Sequence, residues 1–383
     1  MSICQDDHLL PIGDVTQGDD PGHALTLELY SMLTGRPVNA NDVSRINSYI
    51  NLVGIALLAA LLYQIGLSVA AFVVLVGAPM LANQYFALGP HPANLGVACL
   101  AALLPIAALT VPSSARRRFW IWLGVGLCSL AVAMLFREVI GLMGAVATIA
   151  TAILRYGVLG SRTFRSLLGC IVIASLATGT IAVPKAILKT RDIAFDLKPS
   201  DMMQQHGAWH NLYIGLGAAE NPFGLMWDDG VGRAAVKRID PSVPYLSNAY
   251  YSILKHEYLN IVVHRPLEVF TVYLRKLRDA LDNAHIGAFL AIIVVLVTIG
   301  RWRFSKSFAG WIAADGVLVV SVLFVAMFLC QAMLFHPALQ YLFPIEVFLL
   351  VGAAVAAQLF VAVIQAERHA ARVGKSPLPD AAA

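Results

Sequence analysis

The strongest constraint on this chain is a succession of long apolar runs bounded by charge, proline or tryptophan. A helix needs about 20 mostly apolar residues to cross a bilayer, and nine stretches meet or approach that length: 49–67, 68–88, 95–111, 119–136, 139–154, 167–183, 286–300, 311–334 and 342–364. The fifth and seventh are short for a full crossing and would have to tilt, re-enter or extend past these bounds. With 58% hydrophobic and 13% charged residues over 383 positions, a soluble enzyme is excluded. The expected fold is all-α: a polytopic bundle of about nine transmembrane helices with a long, mainly helical loop outside the membrane.

The charge balance narrows the partners. A net charge of +4 includes no polybasic arm or stripe, so nucleic acid is not an expected partner. Cys99, Cys128, Cys170 and Cys330 lie in apolar runs and Cys4 stands alone, so no pair has disulfide or metal-ligand spacing. Nothing in the sequence calls for a cofactor; a divalent metal is compatible with it but not indicated.

Orientation follows from basic residues in the short connections, because Lys and Arg are retained on the cytoplasmic side. Arg116, Arg117 and Arg118 follow the third run, Arg155, Arg162 and Arg165 the fifth, Arg301, Arg303 and Lys306 the seventh, and Arg368, Arg372 and Lys375 the ninth. All four clusters fall on one side. This divides the chain into an extracytoplasmic segment (1–48), six spans (49–183), an extracytoplasmic loop (184–285), three spans (286–364) and a cytoplasmic tail (365–383). The expected setting is a bacterial inner membrane. An exported N-terminus without a signal peptide is unusual, and the economical expectation is one further span upstream; unaided translocation of the short acidic tail is the alternative.

The first outside segment carries Gly18-Asp19-Asp20-Pro21-Gly22-His23, then a helical pattern through Leu25, Leu29, Met32 and Leu33 that ends at Gly35-Arg36-Pro37. Two carboxylates before a helix start can cap it or do chemistry, and spacing alone leaves both readings open. The second outside segment shifts toward His, Trp, Asp and Tyr. Its densest part contains His206, Trp209, His210 and Asp228 among several glycines, which suits a sugar-binding surface and equally an ordinary packed loop. His206 and His210 are four apart, but Gly207 would weaken a shared helix and a third ligand is missing, so hydrogen bonding or substrate contact is expected in place of metal binding.

Helical periodicity resumes over 245–282, broken at Arg265-Pro266. In its second half Leu267, Phe270, Leu274, Leu277 and Leu281 form a stripe, with Arg275, Lys276 and Arg278 beside or opposite it. That pattern fits a helix in the headgroup layer whose cations hold a lipid phosphate, or a basic solvated face. Charge near the membrane is costly. Arg137-Glu138, between the fourth and fifth runs, is therefore either an ion pair ending a helix or a phosphate-neutralising site; Asp315 and Glu346 read as boundary or interhelical hydrogen-bonding groups.

These features together resemble the GT-C superfamily of polytopic membrane glycosyltransferases, especially bacterial relatives of protein mannosyltransferases and aminoarabinose transferases. The resemblance rests on Asp19-Asp20-Pro21-Gly22-His23 with the following helix, the Gly35-Arg36 turn and Asn47, on Arg137-Glu138, and on His336-Pro337 with Gln340-Tyr341-Leu342-Phe343-Pro344. Gln340 stands where the family commonly has arginine. The resemblance implies that Asp19 or Asp20 is the general base and that the donor is a polyprenyl-phosphate sugar. Its sugar would pass with inversion to a lipid, polysaccharide or protein acceptor. It further implies substrate contacts at His23, Arg137, Glu138, His206, Trp209, His210, Asp228, Arg275, Lys276, His336 and Tyr341. The competing expectations are a flippase or transporter of lipid-linked sugars, or an inactive truncated paralogue. No internal repeat of the transporter kind is visible, and polar residues concentrate in the loops.

Overall fold

The computed structural model describes residues 4–5, 8–9, 21–85, 94–111, 115–158, 164–194, 207–283, 293 and 311–372. Among the described residues the fold is helical, apart from a minimal antiparallel ladder of β1 (Cys4–Gln5) and β2 (His8–Leu9). The helices are α1 (Pro21–Thr34), α2 (Ala40–Gln64), α3 (Ser68–Tyr85), α4 (Asn94–Thr110), α5 (Arg116–Phe136), α6 (Glu138–Ala152), α7 (Phe164–Thr180), α8 (Ala182–Ala194), α9 (Ala208–Gly215), α10 (Asp229–Ile239), α11 (Asn248–His264), α12 (Pro266–Asn283), α13 (Trp311–Leu334) and α14 (Leu339–Arg372).

Among the described residues, five stretches are long and apolar enough to cross a membrane: Asn41–Gln64, Arg116–Phe136, Glu138–Tyr156, Ala313–Leu334 and Tyr341–Ala362. Ser68–Leu81, Leu95–Thr110 and Leu167–Thr180 are apolar but shorter. This is the architecture of a helical membrane protein. The short fifth run is lengthened by a π-helical turn, Ile153–Val158, that continues α6. The seventh run, 286–300, lies outside the described residues apart from Ile293.

α4 is the hub. Nearly every side chain from Leu95 to Val111 is buried, and α4 packs against α2, α5, α6, α13 and α14. Its entry is set by α2: the Asn51 amide oxygen accepts the Gly96 N–H at 2.8 Å. There the two backbones touch through Gly54 and Gly96, and a Cβ on either would collide with the other helix. A Phe324–Phe348 stack with centroids 4.5 Å apart joins α13 to α14. Pro79, Pro105 and Pro344 sit inside α3, α4 and α14, where packed neighbours can satisfy the carbonyls they free.

The helix ends alternate. At one end the Arg155 guanidinium caps α4 by donating to the carbonyls of Ala108 and Val111, and it lies 5.5 Å from the Phe119 ring in the first turn of α5. Arg155 is thus at the same end as Arg116, Arg117 and Arg118. The Gln358 side chain donates to Gly66 and accepts from Val69 and Ala70 at the α2–α3 turn. The opposite end carries α1, the α5–α6 break at Arg137, the turn between α13 and α14, and the helices of the 207–283 region.

That region has its own apolar centre, built from Tyr213, Ile214, Ala235, Val236, Leu246, Tyr250 and Leu254. A smaller group of Leu216, Val269 and Val272 joins it to α12. Ser247 caps α11 by accepting the Tyr250 N–H, and Pro266 forces the expected break between α11 and α12. Leu246, directly before that cap, holds a left-handed φ of 58°.

Candidate site at the loop-bearing end of the bundle

α1 starts at Pro21 and ends where Gly35 takes a φ of 65°, a left-handed C-terminal turn that favours glycine. Asn39 then opens α2 in a reciprocal capping box with Asp42. Asp42, 1% exposed, takes both guanidinium nitrogens of Arg36 at 2.7 and 2.8 Å and the Tyr30 hydroxyl at 3.0 Å. This cluster ties the end of α1 to the start of α2. At the other end of α1, Gly22 lies so close to Leu135 in the last turn of α5 that a Cβ would sit 2.7 Å from its backbone.

Two residues beyond Leu135 the chain turns extended at Arg137 (φ −155°, ψ 94°) before Glu138 opens α6. The Arg137 guanidinium lies 5.9 Å from the centre of the Tyr341 ring in the first turn of α14, and both residues are half-buried. The structure therefore brings the charged pair and the turn before α14 together, beside the start of the helix that follows the acidic motif. Asp19, Asp20 and His206 fall outside the described residues, as does the side chain of His23.

His336 lies in the turn before α14, with the Trp227 ring 5.0 Å away. Its Nδ1 is buried without a hydrogen-bond partner among the described residues. Burial, and then the nearby Lys276 charge, lower its pKa.

Four expected substrate contacts have partners within the protein. Lys276 is 0% exposed; its amine donates to the carbonyls of Gly215 at 2.9 Å and Phe335 at 2.7 Å, so it lies on the packed face of α12. Desolvation lowers its pKa to about 7. Arg275 is committed to the loop before α10, donating to the Glu220 carbonyl at 2.8 Å. Asp228 caps α10 by accepting the Gly230 N–H. His210 is 0% exposed, with Nδ1 2.7 Å from the Tyr250 hydroxyl and Nε2 3.0 Å from the Asp229 carboxylate.

His210 is thus a buried core histidine with both ring nitrogens hydrogen-bonded, and burial raises the pKa of its Tyr250 partner. Gly232 permits this packing, since a Cβ there would meet the Tyr250 hydroxyl at 2.8 Å. Gly207 is the N-cap of α9, the helix that carries His210. Trp209 packs against Tyr258 with Lys255 over its ring.

The leucine stripe of α12 has two fates. Leu267, Phe270 and Leu274 are exposed, while Leu281 joins the bundle core. The face that α12 buries is instead Val269, Val272, Lys276 and Ala280. Sequence reasoning missed Asp42, Tyr250 and Asp229 as network centres. It also missed Asn221, whose side chain makes four hydrogen bonds that tie the loop around Gly224. Only Asp42 had a local signal, the Asn39…Asp42 capping spacing. No group of three or more His, Cys, Asp or Glu side chains that could hold a metal ion occurs among the described residues. No protein-family model, curated protein or solved structure matches this chain.

Proposed function

We propose that this chain is a GT-C type glycosyltransferase with about nine spans in a bacterial inner membrane. Its loop-bearing end faces away from the cytoplasm, and its donor is a polyprenyl-phosphate sugar. The observation that carries the reading is the approach of Arg137 to Tyr341 beside the start of α1. A cation and an aromatic ring are thereby close together near the helix that follows Asp19-Asp20, and in this reading they stand at the membrane boundary. Nucleotide sugars are cytoplasmic, so a transferase facing outward needs a donor already carried across on lipid.

In this reading Asp19 or Asp20 takes the proton of an acceptor hydroxyl. The hydroxyl oxygen forms a bond to the anomeric carbon from the face opposite the lipid, and the bond from that carbon to the phosphate oxygen breaks with inversion. Arg137 stabilises the departing phosphate, a placement worth several kcal/mol when the donor is preorganised. Tyr341, with Arg137 over its ring, presents an apolar face for a sugar. Lys276, buried with its amine on the carbonyls of Gly215 and Phe335, takes no part in phosphate binding in this reading.

The test is transfer of labelled sugar from synthetic polyprenyl phosphates to lipid or polysaccharide acceptors in proteoliposomes. Loss of transfer in the Asp19→Asn, Asp20→Asn double variant supports the assignment, and full activity in that variant removes it.

A further inference from the structure

α1 is strung across the loop-bearing end of the bundle and anchored at both ends. Gly22 is pressed against Leu135 at the end of α5. The Arg36 guanidinium and Tyr30 hydroxyl grip Asp42 in the first turn of α2. The helix between these anchors is about 21 Å long at 1.5 Å per residue.

One face of this helix contains Gly22, Leu25, Leu29, Met32 and Leu33, at spacings of three and four. At Gly22 that face meets α5, a helix long and apolar enough to span a membrane. Farther along, the same face runs clear of the bundle: Leu29 is 56%, Met32 73% and Leu33 79% exposed. The one acidic residue of α1, Glu28, lies at the edge of this face, four residues before Met32, and Ser31 is opposite the stripe. Arg36 and Arg45, both exposed, stand at the far anchor, where phosphate groups of a lipid layer would meet them.

We propose that α1 is an interfacial helix whose Leu29, Met32 and Leu33 are immersed in the lipid leaflet that surrounds the loop-bearing end of the bundle. Continuity supplies the argument for lipid as the occupant. The stripe begins against a spanning helix, continues past the bundle's edge without changing face, and ends beside basic groups suited to headgroups. The proposal is independent of glycosyl transfer, since a flippase or scaffold with this fold would place α1 in the same way.

The experiment uses the full chain with its native cysteines replaced and one cysteine introduced as Met32→Cys, Leu33→Cys or, as the off-stripe control, Ser31→Cys. Each is labelled with an environment-sensitive fluorophore in nanodiscs of phosphatidylethanolamine and phosphatidylglycerol. Doxyl-labelled phosphatidylcholine is expected to reduce emission at positions 32 and 33 to roughly half or less, the depth of an interfacial helix, while aqueous iodide quenches only position 31. Iodide quenching at 32 and 33 equal to that at 31 overturns the proposal. Protection of 32 and 33 from both quenchers also overturns it, and means that protein, such as a second copy of the chain, covers the face. Two independent labelled positions on the exposed stripe guard against a local distortion at either one.

Discussion

The Lys276 amine lies 2.7 Å from the Phe335 carbonyl and 2.9 Å from the Gly215 carbonyl. It ties α12 to the last turn of α9 and to the turn after α13. Gly215 makes the junction possible, because a Cβ there would stand 2.7 Å from the Leu334 carbonyl oxygen. One buried side chain therefore fastens the loop region onto the membrane bundle.

Replacing Lys276 with methionine keeps the volume and leaves two carbonyls without their donor. The expected cost is about 1–3 kcal/mol, the desolvation of acceptors left unpaired. Thermal unfolding of the purified protein in nanodiscs measures it. Gly215→Ala, which adds a methyl at the same junction, is expected to lower the melting temperature in the same direction.

The same lysine makes stability depend on pH. Its folded pKa is about 7, against about 10.4 in an unfolded chain. Between these values the unfolded state binds the extra proton, so stability rises with pH from about 7 toward about 10 and levels off above. A stability series across that window is expected to show the rise in the wild-type protein and to lose it in Lys276→Met.

Asp42 is nearly inaccessible and depends on Arg36 for its counter-charge. Arg36→Met is expected to destabilise the α1–α2 junction, since it leaves the Asp42 carboxylate without its counter-charge, and Asp42→Asn to do so less. Limited proteolysis at the α1–α2 turn, compared with global unfolding, shows whether the damage is local to α1.

His210 and Tyr250 are structural in this account. Tyr250→Phe removes the hydroxyl that bonds Nδ1 of His210 and is expected to cost about 1 kcal/mol of stability, while leaving the rate of sugar transfer per folded molecule unchanged. A selective fall in that rate would return His210 to the reaction.

Much of the scaffold is legible in the residues themselves. The apolar runs 119–136, 311–334 and 342–364 correspond to helices long enough to cross a membrane, because run length is set by bilayer thickness and survives any detail of packing. The α1 stop at Gly35 and the α11–α12 break at Pro266 are equally local, fixed by one residue's backbone chemistry. The site is less legible because its groups meet across long separations. The partners of His210 lie 40 and 19 residues downstream, and nothing in the local pattern announces a buried ring.

The α12 helix shows the deeper ambiguity. Leucines at 267, 270 and 274 mark an apolar face, but a face toward lipid and a face toward protein have the same periodicity. Only the packing against α9 and α13 reveals that the valines and Lys276 form the buried side. The approach of Arg137 to Tyr341 was reachable only as two separate motifs until the fold brought them together.

The most direct measurement is single-turnover sugar transfer from defined polyprenyl-phosphate donors, comparing wild-type protein with Arg137→Met in proteoliposomes and checking insertion of both by protease accessibility. The account predicts transfer by the wild type and a loss of about 10²–10³-fold in the variant, the usual consequence of removing one group that stabilises developing charge. Inserted wild-type protein that transfers no sugar from any donor, or an Arg137→Met variant that transfers at the full rate, would contradict it.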